Sequence, residues 1–169
     1  MDVETAIRTR RTHKAYRPEP VGAAILDELF ELANWAPNHH LTQPWRFRIV
    51  GPATLERLKA AAGQEAASKL DRAPTLVACS AVSCGDERTD EEDLLATACA
   101  AYIVLLAAHG RGLAGYWRTP GVLWTDAGRE ALAVPATERL VGLLHLGRPI
   151  QEQRPPARPP AANAVTYLA

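Results

Sequence analysis

The chain has 169 residues, of which 47% are hydrophobic and 22% charged, enough apolar material for one domain with a packed core. Its 19 lysines and arginines balance its 19 aspartates and glutamates. This balance disfavours a nucleic-acid partner, because such proteins usually carry net positive charge. The three cysteines contain no Cys-x-x-Cys pair, and the N-terminus has no apolar signal region, so we expect a reduced, cytoplasmic setting.

A cationic run follows a short predicted helix near the N-terminus. Between Arg10 and Lys14, four of five side chains are cationic or can become so, and the fifth is the hydroxyl of Thr12. Guanidinium forks beside a hydroxyl suit the oxygens of a phosphate group. The alternative is a solvated basic helix end. Taken alone, the run favours that alternative, because charge runs usually are solvated faces.

The next segments predict a helix, a polar loop and a strand. Apolar residues recur at helical spacing over 25–33, and Pro37 disfavours helical geometry at the residue before it. The loop over 38–45 is dense in hydrogen-bonding and aromatic groups and leads into a strand over 46–50. His39 and His40 lack further ligands at zinc-site spacing, so we expect no metal. Beyond them, the pattern predicts a helix over 52–69 interrupted at Gly63, a buried strand over 75–82 and a polar loop over 85–93.

One long apolar stretch organises the chain. Residues 94–108 are almost wholly apolar, with acidic residues before them and His109, Gly110, Arg111 and Gly112 after them. Both ends carry the charges that a helix dipole favours, and an all-round apolar helix should be buried all round. The run falls short of the ~18–20 uninterrupted apolar residues of a membrane span, so we expect no membrane partner. The cluster over 115–121 then suggests a ligand site, although, taken alone, an ordinary strand start with a stacked Trp–Arg pair is the better explanation.

The last third predicts a capped helix, a buried strand and an arm. Thr125 reads as the N-cap of a helix through Leu132, and a strand follows over 140–147. In that strand we expect His145 to be a core or strand-edge residue and not a catalytic one. From Arg148 the chain is rich in proline and should be extended. Residues 164–168 suggest a strand that could join a sheet edge of its own subunit or of a partner, the alternative being a frayed terminus.

Taken in order, these segments resemble the nitroreductase family of flavin enzymes, and within it the short bacterial NAD(P)H nitroreductases of the YdjA-like subgroup. The likeness spans nearly the whole chain and is carried by four stretches, at 10–12, 36–45, 115–119 and 141–149. It implies an α+β nitroreductase-like fold, with a mainly antiparallel central sheet flanked by helices and a long buried central helix at a dimer interface. It also implies that residues 1–169 form a single FMN-binding domain with an extended proline-rich C-terminal arm over 148–169.

The resemblance implies a cofactor site shared between the two subunits of a homodimer. The residues expected to bind FMN are Arg10, Arg11, Thr12, Trp35, His39, Gln43, Trp117, Arg118 and Thr119. Among them, Trp35 and His39 would reach the flavin of the other subunit, and Trp35 replaces a cation found in close relatives. A weaker transfer assigns NAD(P) binding to Ala107, Ala108, His109, Gly110, Arg111 and Gly112. Longer relatives also use a C-terminal cation for the phosphate; Arg148, Arg154 and Arg158 are available here, and no motif selects one.

The activity implied is an FMN oxidoreductase that takes hydride from NADH or NADPH and reduces nitroaromatic or related acceptors by a ping-pong mechanism. The chemistry would belong to the FMN, and no side chain is expected to act as a catalytic nucleophile. Two alternatives stay open: a flavin reductase or dehydrogenase acting on quinones or enones, and a non-catalytic flavin-binding protein.

Overall fold

The computed structural model describes residues 1–168, and Ala169, the last residue of the predicted arm, lies outside the described residues. The helices are α1 (Val3–Thr9), α2 (Ala23–Ala33), α3 (Pro52–Ala62), α4 (Gln64–Ala67), α5 (Glu87–Gly110) and α6 (Asp126–Ala131). The strands are β1 (Trp45–Ile49), β2 (Thr75–Val82), β3 (Ala114–Arg118) and β4 (Glu138–Gly147). Short 3-10 turns lie at His39–Leu41, Gly121–Trp124 and Ala161–Ala164.

The four strands form one antiparallel sheet in the order β1-β2-β4-β3. Because side chains alternate along a strand, the sheet has two apolar faces, and each is covered. One face, with Val77 and Leu144, packs against α2 and α5. The other, with Leu76 and Leu143, packs against α3 and α6. The expected α+β class, with a mainly antiparallel sheet flanked by helices, is confirmed.

Helix α5 is longer than the apolar run that predicts it. It begins at Glu87 because the Asp86 carboxylate accepts a hydrogen bond from the backbone nitrogen of Thr89 at 2.9 Å and so caps the first turn. The predicted polar loop over 85–93 is therefore mostly helix. The acidic residues of this turn lie at the positive end of the helix dipole, where negative charge is favourable.

The expectation that α5 is buried all round is wrong for the single chain. Ala100, Ala101 and Val104 are fully buried, but Leu95 is 64% exposed and Tyr102 is 38% exposed. With Cys99, which is also exposed, these residues follow a spacing of four and three, so they form one stripe along the helix. Among residues 1–168, α5 alone is long and apolar enough to cross a membrane, a test that core helices of soluble proteins also pass.

The C-terminal arm contains no α-helix or strand among residues 148–168. Its start is anchored, because the backbone nitrogen of Arg17 donates to the carbonyl oxygen of Arg148 at 2.9 Å and Tyr16 bridges to Pro149. The predicted strand over 164–168 is not formed: those residues are irregular, and Tyr167 is 94% exposed. The single-domain assignment and the extent of the arm stay predictions.

His145 is fully buried in β4, as expected of a core residue. Neither ring nitrogen has a hydrogen-bond partner among the described residues, and the ring lies beside Tyr116 with the centroids 5.8 Å apart. Burial, aided by the charges of Arg118 and Arg72, lowers the pKa of His145 from 6.5 to about 3. The folded protein therefore holds this ring neutral at pH values where an unfolded chain would protonate it.

We expect His145 to make the fold acid-sensitive. Above pH 6.5 the imidazole is neutral in both states; as the pH falls from 6.5 toward 3, only the unfolded chain takes up the proton, and the free energy of unfolding falls. In His145→Leu this loss disappears, so the variant gains on the wild type between about pH 6.5 and pH 4.5 in urea denaturation. The exposed His40→Gln serves as the control. Parallel stability curves for His145→Leu and the wild type would contradict the prediction.

Candidate functional site

The cationic run lies where α1 ends and the chain meets the start of β3. Asp2 caps α1 by accepting a hydrogen bond from the backbone nitrogen of Thr5 at 2.8 Å, and the chain leaves helical geometry at Arg10. Thr12 then forms a parallel bridge with Gly115. The run is thus fixed against the sheet instead of fraying into solvent.

Arg10, Arg11 and Thr12 line a cavity of about 220 Å³, here named the arginine pocket. The C-terminal arm completes its lining with Gln153, Arg154, Pro156 and Arg158. The structure therefore brings Arg154 and Arg158 to the cationic run, and Arg148 is not part of the lining. Four guanidinium groups around one small cavity make a strongly positive site.

Two buried donors of the arginine pocket have no partner among the described residues: Nε of Arg10 and Nε of Arg11. The other contacts of these side chains are weak or local. Nη1 of Arg11 donates to the carbonyl oxygen of Arg8 at 2.7 Å, and the Arg10 guanidinium lies 5.8 Å from the centroid of the Tyr102 ring. Because a buried donor without a partner costs about 1–3 kcal/mol, the pocket suits an anionic group with several oxygens.

A second cavity of about 530 Å³ adjoins the pocket and shares Arg11 and Gln153 with it. We name it the histidine cavity, after His13 and His109 in its lining. Burial lowers the pKa of His13, with help from His109 and Arg10. Burial also lowers the pKa of His109, with help from Arg10 and Arg11. Both rings therefore favour the neutral form, and the positive charge of this region comes from its arginines.

The six residues predicted for NAD(P) lie at the end of α5 and divide into two groups. His109, Gly110 and Gly112 line the histidine cavity. Ala107, Ala108 and Arg111 do not line it; the Arg111 guanidinium instead forms an ion pair with Glu28 at 2.9 Å. His109 is held by Thr9, whose hydroxyl lies 2.8 Å from its Nε2.

Trp35, His39 and Gln43 lie apart from the arginine pocket, at the end of α2 and in the loop before β1. Trp35 is 85% exposed. The backbone of the loop is strained, since His40, Leu41 and Gln43 all have positive φ, at 52°, 54° and 45°. Residues 1–168 contain no cluster of three or more histidine, cysteine, aspartate or glutamate side chains placed to hold a metal ion.

The loop over 38–43 and the arginine pocket both contact α5, at different positions along the helix. The loop is tied at Asp93, whose Oδ1 accepts a hydrogen bond from the Thr42 hydroxyl at 2.7 Å. The arginine pocket lies beside Tyr102, under Arg10. Nine residues of helix separate Asp93 from Tyr102, a rise of about 14 Å. One chain therefore does not bring His39 to its own Arg10.

Trp117, Arg118 and Thr119 lie at the outer end of β3 and line neither cavity. The Trp117 indole donates to the carbonyl oxygen of Val141 at 3.1 Å. The Arg118 guanidinium donates to the carbonyl oxygen of Lys69 at 3.1 Å, and Thr119 is exposed. Only glycine fits at position 142, because a Cβ there would lie 2.1 Å from Nε1 of Trp117.

The sequence pattern does not identify the residues whose side chains hydrogen-bond to the loop over 38–43. Asn38 accepts a hydrogen bond from the backbone nitrogen of Gln43 at 2.9 Å, and Asp93 accepts one from Thr42. The sequence pattern places Asp93 in a polar loop, so nothing marks it as the buried acid that the structure shows. Asp93 is the last of four consecutive acidic residues before the apolar run, and a favourable charge at the positive end of the helix dipole explains the acidic residues without any buried acid.

Comparison with known proteins gives a consistent result. The Nitroreductase family model matches residues 7–81. The chain is 26% identical over 178 residues to the proposed NAD(P)H nitroreductase YfhC of Bacillus subtilis, covering 96% of this chain and 92% of YfhC.

Solved structures share the fold at lower identity. A nitroreductase-like family protein from Bacillus cereus superimposes with a TM-score of 0.90 at 22% identity, covering 99% of this chain and 96% of that one. A proposed nitroreductase from Desulfovibrio desulfuricans, solved in complex with FMN, gives a TM-score of 0.82 at 24% identity, with 99% and 96% covered. The family match over residues 7–81, the relative along almost the whole chain and the shared fold agree with the ordered motifs, and the chain is similar to the nitroreductase family in sequence and in fold.

Proposed function

We propose that the protein is an FMN-dependent oxidoreductase that takes hydride from NADH or NADPH and reduces nitroaromatic or related acceptors in a ping-pong sequence. The observation that carries the proposal is the arginine pocket with its two buried, unpartnered Nε–H groups. The name of YfhC and the FMN complex of the Desulfovibrio desulfuricans protein support the choice of NAD(P)H and FMN.

The arginine pocket fits the phosphate of FMN in charge and in donors. A phosphate monoester carries close to two negative charges and three acceptor oxygens. Arg10 and Arg11 would bind it from the end of α1, the Thr12 hydroxyl would add a donor, and Arg154 and Arg158 would close the pocket from the arm. Each charge-assisted hydrogen bond contributes about 1.5–3 kcal/mol, so these arginines should dominate cofactor affinity.

Bound FMN would supply the redox chemistry by accepting hydride from NAD(P)H and passing the electrons to an acceptor. The chain's residues bind and orient. Gly115, bridged to Thr12, and Arg118 are three residues apart on β3, a rise of about 10 Å. A ligand anchored by its phosphate could therefore follow β3, and we assign Trp117, Arg118 and Thr119 to contacts with its redox ring. We assign His109, Gly110 and Gly112 to the dinucleotide, because their cavity adjoins the arginine pocket.

We further propose a homodimer in which each flavin is bound by both chains. The exposed stripe of α5, with Leu95 and Tyr102, leaves apolar surface that a second copy would cover. An antiparallel pairing of the two α5 helices would bring the Asp93 end of one chain to the Tyr102 end of the other. Trp35, His39 and Gln43 would then reach the partner's flavin, which they do not reach within their own chain.

A cytoplasmic setting is part of the proposal. Cys79, Cys84 and Cys99 are all free in the described part of the chain. Reduced thiols are the rule in the cytosol, where NADH and NADPH are also available as co-substrates.

The purified protein should be yellow, with about one FMN per subunit, and anaerobic NADH or NADPH should bleach it. Absorption spectra recorded before and after addition of the nucleotide provide the measurement. Bleaching distinguishes an enzyme from a flavin store, since a store binds FMN without reducing it. Incubation with excess FMN followed by desalting is the decisive control: no retained flavin would exclude the assignment.

Arg10→Ala should weaken FMN binding about 10- to 100-fold, because it removes charge-assisted hydrogen bonds to the phosphate. The dissociation constant is measured from the quenching of flavin fluorescence, and thermal unfolding checks that the apo-protein remains folded. Arg57→Ala is the matched control, since Arg57 is an exposed arginine of α3 on the opposite face of the sheet. Equal FMN affinity in Arg10→Ala and the wild type would identify the run as a solvated helix end.

A shared site should show complementation in mixed dimers. When one chain carries Arg10→Ala and the other His39→Ala, two-fold symmetry puts both lesions in one site and leaves the other site native. Dimers isolated by two different tags should therefore bind about one FMN tightly, whereas each parent homodimer binds poorly. A site built within one chain would keep one lesion in every site, and the mixed dimer would then bind no better than its parents.

A further inference from the structure

Asp93 is a buried carboxylate in the helix that forms the apolar centre of the fold. Its side chain is only 4% exposed, while the acidic residues before it are solvated or half-buried. The Thr42 hydroxyl donates to its Oδ1 at 2.7 Å, and this is the single hydrogen bond that the described residues make to the carboxylate. Because burying a charge is costly, a buried acid with one partner suggests a positioning role.

The partner of Asp93 lies in the most strained loop of the chain. His40, Leu41 and Gln43 adopt left-handed backbone geometry although each carries a side chain. Such geometry persists only where surrounding contacts hold it. Side-chain contacts do so here: Asn38 accepts from the backbone nitrogen of Gln43 at 2.9 Å, Arg46 Nη1 donates to the carbonyl oxygen of Gln43 at 3.1 Å, and Asp93 accepts from Thr42. The first closes the loop on itself, the second joins it to β1, and the third attaches it to α5.

We propose that Asp93 is a positioning residue that holds loop 38–43 against α5 through Thr42, so that His39 and Gln43 meet the flavin of the partner subunit. The inference rests on the proposed function. The hydrogen bond would set the position of the loop over 38–43 relative to the exposed stripe of α5. Asp93 lies two residues before Leu95, where the exposed stripe of α5 begins. The hydrogen bond therefore fixes the loop relative to the surface that would pair with the second chain.

The test removes the donor and leaves the shape of the side chain. Thr42→Val should raise the dissociation constant for FMN about tenfold, the order expected for one hydrogen bond to a charged group. Thr42→Ser keeps the hydroxyl and should restore affinity to within about twofold of the wild type, the usual range of a neutral surface change. Thr54→Val is the matched control, because it removes a surface hydrogen bond from Arg57 on α3.

A second variant and a second readout separate positioning from general stability. Asp93→Asn keeps an acceptor but loses the charge, so its FMN affinity should lie between those of the wild type and Thr42→Val. In a mixed dimer of Thr42→Val with Arg10→Ala, one site receives both lesions and the other receives none, so one tight FMN per dimer is expected. A merely structural defect of the Thr42→Val chain would weaken both sites.

The outcomes are distinguishable. If the wild type binds no FMN, the proposed function fails and this inference fails with it. If the wild type binds FMN and Thr42→Val and Asp93→Asn bind it equally well, only the positioning role is overturned. Loss of affinity that follows loss of thermal stability, without rescue in mixed dimers, also overturns it.

Discussion

The packing of α5 against the sheet is the constraint on which the rest of the structure depends. Its small buried residues, including Ala100 and Ala108, let the helix lie close to β3, where a Cβ on Gly115 would come within 2.6 Å of the Leu105 side chain. Three separate contacts then use α5 as their support: Arg10 against Tyr102, Thr9 with His109, and Thr42 with Asp93. The helix thus fixes both groups of site residues, and the distance between them.

Electrostatics explains why the arginine pocket suits an anionic ligand. A guanidinium group carries a fixed positive charge, and the Nε atoms of Arg10 and Arg11 are buried without partners among residues 1–168. Lowered pKa values keep His13 and His109 from adding further positive charge. The positive charge around the arginine pocket therefore comes from its arginines and not from the two histidines. A dianionic phosphate would offset both the mutual repulsion of the arginines and the cost of their unpaired donors.

Local signals in the sequence predict most of the helices and strands, but not the arrangement of the candidate site. Periodicity, the break at Gly63 and the Thr125 cap predicted helices and strands that the structure contains, because these features depend on neighbours in the chain. The choice of Arg154 and Arg158 depends on the arm folding back onto the N-terminus, which no local pattern records. The left-handed loop and the buried Asp93 likewise result from contacts between distant segments. The strand predicted over 164–168 is not formed, since it depends on pairing with a sheet edge and no described strand pairs with it.

In the proposed homodimer, Trp35 would connect cofactor binding to association of the two chains. A tryptophan that is 85% exposed is unfavourable in an isolated chain, and in the shared site it would gain both a partner surface and a flavin to stack on. Leu41, which is 79% exposed in the strained loop, would likewise gain contacts with the partner surface and the flavin in the shared site. If the same surface contacts both the second chain and the flavin, dimerisation completes the FMN site and FMN binding completes the dimer interface. Linkage then requires that FMN strengthen dimer association by the same factor by which dimerisation strengthens FMN binding.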